Sequence, residues 1–237
     1  MDKQYTFKDF VGIIKALRAE NGCPWDREQT HDSLRPCMTE EAAELLAAIR
    51  IYDYTGNAEN MREELGDILL QVVMHSVIAE EEALFTIEDV IEEISQKMIR
   101  RHPHVFGTAA VENAEQVLVN WEEIKKKEKE GKSWIKSPLR EIPQELPALA
   151  RGCKTAKKAD KLYGACGSEE ESLTQLQKSL DALREAKGQQ DGEKLEKAYT
   201  DMLWKMCEIA YQEKLSPEQL LADRIAQKIE LLEPEYE

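Results

Sequence analysis

Glycine and proline are scarce, 11 and 8 in 237 residues, and this leaves room for long uninterrupted helices. Cysteine is scarcer: five residues, at positions 23, 37, 153, 166 and 207, odd in number and never in a CxxC. That pattern excludes a disulfide framework and a structural zinc site, and it fits reduced thiols. Long apolar runs are missing too. The longest mostly apolar stretch, Ile68 to Ala79, is broken by Gln71 and His75 and is too short to cross a bilayer. Met1 to Phe10 are mixed and polar, without the apolar segment of a signal peptide. No convincing period-two alternation occurs, so strands are not expected. These absences predict a soluble, cytoplasmic, all-α protein with no membrane contact.

Charge is abundant and unevenly placed. The net charge is −15. Residues 1–124 hold 11 Lys and Arg against 25 Asp and Glu, whereas residues 125–237 hold 21 against 22. A strongly acidic half repels nucleic acid and anionic lipid and concentrates cations, although a solvated acidic surface gives the same count.

Helical spacing runs nearly throughout. Phe7, Phe10, Ile14 and Leu17 mark a first helix ending near Asn21-Gly22, followed by a loop at Cys23-Pro24-Trp25-Asp26. A second helix is expected from Thr39, as N-cap, to Tyr52. Thr55-Gly56-Asn57 is turn chemistry, and a third helix follows with Met61, Leu65, Ile68 and Val72. Thr86, with Asp89 three residues on, predicts a capped fourth helix that Pro103 closes. The organisation expected is a domain at 1–130, a linker at 131–147 and a second domain at 148–237. The linker falls in a region that combines a charge run, Gly131 and three prolines. Further helices are expected over 148–162, 171–187 and 193–213, with a last one opened by Ser216-Pro217-Glu218-Gln219. Helix, turn, helix and capped helix recur in the same order in both halves, with Gly188 to Gly192 as the second turn, which reads as a faded repeat.

The chemistry is concentrated in Glu40-Glu41-Ala42-Ala43-Glu44 and Glu64-Leu65-Gly66-Asp67. Residues three apart share a helix face, so Glu41 pairs with Glu44 and Glu64 with Asp67. A short turn makes the two helices antiparallel neighbours, and the carboxylates flank apolar stripes. Four like charges at a core edge repel unless cations neutralise them. An all-oxygen donor set favours a hard cation such as Mg²⁺ over zinc. Gly66 lets a ligand or the neighbouring helix approach. The plainer reading is a solvated face, with Glu40 and Glu41 in a first helical turn complementing the dipole. Arg100 and Arg101 end the fourth helix, and Lys125 follows. They are the nearby cations that could offset a phosphate, or ordinary helix-end and surface charges.

Together with Gly22-Cys23-Pro24-Trp25-Asp26, the run Arg100-Arg101-His102-Pro103-His104-Val105-Phe106 and Trp121-Glu122-Glu123-Ile124-Lys125, these motifs resemble the MazG family of nucleoside triphosphate pyrophosphohydrolases. The resemblance is close over 7–130 and loose over 145–237. It implies a helical bundle of two related domains, usually dimeric, that hydrolyses an NTP or dNTP to the monophosphate and pyrophosphate with Mg²⁺. It implies Glu41, Glu44, Glu64 and Asp67 as metal ligands. Glu40 would orient or deprotonate the attacking water, and Arg100, Arg101 and Lys125 would bind phosphate oxygens. Trp25 and His31 are candidates for the nucleoside end, a core Trp and a surface His being the alternatives. In the second half the corresponding motifs read Lys178-Ser179-Leu180-Asp181-Ala182 and Ala198-Tyr199-Thr200-Asp201, leaving only Asp201 as a ligand. A degenerate, non-catalytic domain is therefore expected there. Two rivals remain: a non-catalytic helical nucleotide-binding or regulatory module, and a di-iron bundle. The latter needs two ExxH motifs, and the sequence supplies one, Glu28 to His31.

Overall fold

The computed structural model describes residues 4–108, 111, 113–129 and 137–233, and among them there is no strand. The chain divides into two compact units, Met1–Glu128 and Lys129–Glu237.

Helix α1 (Phe7–Arg18) opens unit 1 on a capping box. The Thr6 hydroxyl accepts from the Asp9 N–H, and the Asp9 carboxylate accepts from the Thr6 N–H. The chain then doubles back so tightly that a Cβ on Gly22 would lie 2.2 Å from the Leu17 carbonyl oxygen. The loop expected at 23–26 is instead helical, α2 (Pro24–Glu28). Pro24 sits at the first position, where its fixed φ helps and its missing N–H costs nothing. The Arg18 guanidinium secures this short helix by donating to the carbonyls of Asp26 and Gln29.

Helix α3 (Arg35–Thr55) begins four residues before the expected cap at Thr39. Pro36 starts it, and the Thr39 hydroxyl donates to the Arg35 carbonyl at 3.1 Å rather than capping. Glu40 and Glu41 therefore lie beyond the first turn, and the dipole account of them lapses. Gly56 ends the helix in the left-handed region at φ +71°, its N–H bonded to the Tyr52 carbonyl. The Asn57 carboxamide oxygen accepts from the Glu59 N–H, and α4 (Glu59–Glu81) returns along α3. Helix α5 (Ile87–Arg101) has the expected Thr86–Asp89 capping box. Pro103 closes it and also opens α6 (Pro103–Phe106). In α7 (Ala114–Lys129), Lys125 to Lys129 continue the helix. Of the linker expected over 131–147, residues 131–136 lie outside the described residues. Residues 137–147 form turns around the buried Ile142.

The core of unit 1 joins Val11 and Ile14 of α1, Leu34, Ile87, and Val73, Met74, Val77 and Ile78 of α4. Helix α4 thus changes character along its length. Its second half, from Gln71 to Ala79, is mostly buried, while Leu65 and Leu69 in its first half are exposed.

Unit 2 contains α8 (Ala148–Tyr163), α9 (Glu169–Gln189), α10 (Gly192–Gln212) and α11 (Pro217–Leu232). Ser168 and Glu171 form a capping box on α9, and Asp191 caps α10. Gly188 is helical, and the turn expected there is made by Gln190 at φ +56°. Ser216 makes no capping side-chain bond, so Pro217 alone shapes the start of α11. The buried positions are small, chiefly Ala156, Ala186, Ala198, Cys207 and Ala210. Helices α8 and α10 approach so closely that a Cβ on Gly152 would lie 2.6 Å from Cys207 Sγ.

Candidate active site

Glu41 of α3 and Glu64 and Asp67 of α4 converge. One ligand oxygen from each lies within 4.8 Å of the others, and all three are half-buried. Each is carried by a regular helix, so the packing of α3 along α4 sets the geometry. The Glu41 carboxyl pKa is raised, first by burial and then by the charges of Asp67, Glu44, Glu64 and Glu40. Glu44 and Glu40 are exposed and stand outside the trio. They add field rather than a converging oxygen. Asn60, one turn before Glu64, donates its carboxamide N–H to Glu64 Oε1 at 2.7 Å and fixes that carboxylate. Sequence reading passed over Asn60, although its i,i+4 spacing is a visible signal. A Cβ on Gly66 would meet nothing within 4 Å, so the neighbouring helix does not crowd it and the space above stays open.

The candidate basic residues are engaged by other carboxylates of unit 1. Arg100 Nε lies 2.8 Å from Glu128, and Arg101 grips the same carboxylate through Nη2 at 2.5 Å. Arg101 also lies over the Trp121 ring, 5.3 Å from its centroid. Hydrogen bonding from Arg101 chiefly holds the Glu128 carboxyl down at about 2, with Arg100 adding to it. Glu128 went unread because it stood in an apparent charge run. Lys125 reaches Glu122 at 3.5 Å. Among the described residues, no hydrogen bond or ion pair joins these cations to the acidic trio. Trp25 is exposed, not a core residue, and His31 Nδ1 meets His75 Nδ1 at 2.8 Å. Burial and then His31 depress the His75 pKa.

The model of the MazG nucleotide pyrophosphohydrolase domain matches residues 29–106, which include the whole trio and both arginines. A nucleoside triphosphate pyrophosphohydrolase/pyrophosphatase MazG from Thermotoga maritima is 39% identical over 215 residues, covering 91% of this chain and 79% of that protein. The chain belongs to the MazG family. The Escherichia coli nucleoside triphosphate pyrophosphohydrolase is 45% identical over 147 residues, 62% of this chain and 54% of that protein. A Bacillus subtilis relative named uncharacterized protein YabN is 50% identical over 153 residues, 65% of this chain. The matched part spans only 30% of that longer protein. No helix among the described residues is long and apolar enough to cross a membrane.

The helix ends of this MazG chain set a register between its two units. Gly56 and Gln190 are the left-handed caps of α3 and α9, bonded to Tyr52 and Ala186 respectively. Counted from those caps, the places of Glu41 and Glu44 are taken by Gln175 and Lys178. At the ends of α4 and α10, the N–H of Leu84 bonds to Ala79 and that of Leu215 to Ala210. Counted from there, the places of Glu64 and Asp67 are taken by Leu195 and Ala198. Counted from that end, Asp201 falls at the place of Leu70.

Proposed function

We propose that Glu41, Glu64 and Asp67 hold Mg²⁺ and that this chain hydrolyses a nucleoside triphosphate, NTP or dNTP, to the monophosphate and pyrophosphate. The observation that carries the proposal is the convergence of three carboxylate oxygens within 4.8 Å with no protein cation among them. The donor set is all oxygen, and the raised Glu41 pKa marks negative charge that the protein leaves uncompensated. Both fit a small hard cation. When bound, Mg²⁺ supplies neutralisation of phosphate oxygens and a more acidic water. Glu64, braced by Asn60, keeps its oxygen in place, and Glu44 strengthens the local field. Glu40, exposed beside Glu41, takes the proton from the attacking water as its oxygen bonds to the α-phosphorus. The bond from that phosphorus to the oxygen bridging to the β-phosphorus breaks, and pyrophosphate leaves. Arg100, Arg101 and Lys125 receive phosphate oxygens, Arg101 by exchanging Glu128 for them.

A second copy of the chain is the proposed partner. Leu46 and Ile49 of α3, Leu65 and Leu69 of α4, and Ile91 and Ile94 of α5 are all exposed. Such a face suits a homodimer whose second subunit covers the open half of α4. Unit 2, without equivalent carboxylates, is proposed to be non-catalytic. A triphosphate substrate and five unbridged cysteines suit the cytoplasm. The test is release of monophosphate and pyrophosphate from a mixed nucleotide pool, with and without Mg²⁺. Binding without turnover would favour a nucleotide sensor instead.

A further inference from the structure

In unit 1 the seam between its first helix and α4 is closed by charge. Lys15 Nζ lies 2.7 Å from Glu80, and Arg18 Nη2 lies 2.7 Å from Glu81. Unit 2 builds the same seam from α8 and α10, and matching hydrogen bonds at the end of the long helix fix the register. The N–H groups of Glu82, Ala83 and Leu84 bond to Ile78, Glu80 and Ala79, while those of Glu213, Lys214 and Leu215 bond to Ile209, Tyr211 and Ala210. By that register Glu80, Glu81 and Ala83 are replaced by Tyr211, Gln212 and Lys214. Two anions are lost and a cation is gained.

Helix α8 still presents cations to this seam. Lys154 and Lys157 line, with Lys214, a cleft of about 720 Å³. Among the described residues none of these three ammonium groups has a hydrogen-bond or ion-pair partner. The one carboxylate in the lining, Asp160, is engaged by the Tyr211 hydroxyl at 2.9 Å and the Cys166 N–H at 3.3 Å. The cleft therefore carries two net positive charges within a chain of net charge −15. Cys153 adds no charge, because burial and then Cys207 push its thiol up to about 11. Lys214 holds φ +58° at a helix end, where glycine is the usual residue. Gln212 donates through Nε2 to the Gly167 carbonyl at 2.8 Å, and its Oε1 is buried without a hydrogen-bond partner.

We propose that this cleft binds a small polyphosphate anion, either inorganic pyrophosphate or the di- or triphosphate end of a nucleotide. Three unpaired ammonium groups act as point charges for clustered phosphate oxygens. The volume admits a whole nucleotide. The proposal is independent of the metal site, since no residue of the acidic trio takes part.

Isothermal titration calorimetry on the full chain in excess chelator tests it, with pyrophosphate and an α,β-methylene nucleoside triphosphate as probes. Without divalent cations the acidic trio repels both. Saturable binding is expected, weakening with salt. The double variant Lys154→Ala/Lys157→Ala should lose about tenfold in affinity or more, with Mg²⁺-dependent hydrolysis unchanged. Lys214→Gly should also lose affinity while its melting temperature rises, a pairing that damage to the fold does not produce. Tighter binding of the nucleotide analogue shows that the nucleoside adds contacts in the cleft, and equal affinity assigns the site to the phosphate group alone. No binding of either probe by the wild type at millimolar concentration overturns the proposal, as does a double variant that binds like the wild type. Because the assay needs no turnover, its result stands apart from that of the hydrolysis test.

Discussion

The two units share the order of their long helices and the left-handed ends of two of them but distribute charge in opposite ways. In unit 1 the α3–α4 pair carries converging carboxylates, and its first helix is locked to α4 by ion pairs. In unit 2 Gln175, Lys178, Leu195 and Ala198 take the carboxylate places, and the cleft beside α8 exposes unpaired lysines. The lesson is that left-handed helix ends, as at Gly56 and Gln190 or Ala83 and Lys214, outlast the side chains that do chemistry. A fold can thus be repeated while a site is moved, lost or inverted in sign.

The largest effect should come from breaking the feature found only in unit 1. Glu41→Ala or Glu64→Gln is expected to lower kcat/KM for a triphosphate by ~10²-fold or more, with an unchanged helical circular dichroism spectrum. Near-normal turnover at saturating Mg²⁺ in both variants would remove the metal assignment.

A smaller effect separates the basic cluster from the trio. Arg101→Ala should raise KM by roughly tenfold, the size expected for one lost charge-assisted bond. Glu128→Gln, which frees the arginines, should lower KM. Steady-state kinetics of the pair decide between phosphate binding and a purely internal clamp: KM unmoved in both variants would mean the clamp.

Smaller again is the pH dependence. Glu128 has a folded pKa near 2 against an ordinary 4.5, so its contribution to stability is fully present above 4.5 and is lost as pH falls towards 2. Glu41 has the opposite sign. Its folded pKa is raised, so stability falls as pH rises from 4.5 through that higher value. Thermal melts of Glu128→Gln and Glu41→Gln should flatten the respective slopes, and Mg²⁺ should offset only the second.

The smallest effect concerns the caps that unite the two halves. Gln190→Gly should stabilise unit 2 by about 0.5–1 kcal/mol by relieving a left-handed side-chain residue. A chemical melt with an unmoved midpoint would show that the cap is unstrained.

Much of this was legible in the linear chain, for local reasons. The helical spacing, the Thr86–Asp89 box and the break at Gly56 depend on neighbours within a few residues. Glu41, Glu64 and Asp67 were legible because i,i+3 spacing and a short turn bring such pairs together. Other features escaped because a distant or competing partner decides them. Thr39 reads as a cap until its hydroxyl finds the Arg35 carbonyl. Glu128 reads as solvated charge until α7 delivers it to two arginines of α5. Gly188 reads as the turn, yet the helix continues through it and Gln190 adopts the strained conformation. In the second half, matching motif to motif in the linear sequence pairs Asp201 with Asp67, whereas counting from the hydrogen-bonded end of α10 pairs it with Leu70.

The divided character of α4 has a dynamic consequence. A single hydrogen-bonded helix whose second half is sealed in the core and whose first half faces outward has two local stabilities. In the isolated subunit its amides should exchange with deuterium at two rates, slowly from Gln71 to Ala79 and faster from Glu59 to Leu69, until a second subunit covers that half. The fast segment contains Glu64 and Asp67, so a cation that ties them to Glu41 should slow exchange there and leave the core segment untouched. Helix α4 would then be ordered from both ends, by the core at one and by metal at the other.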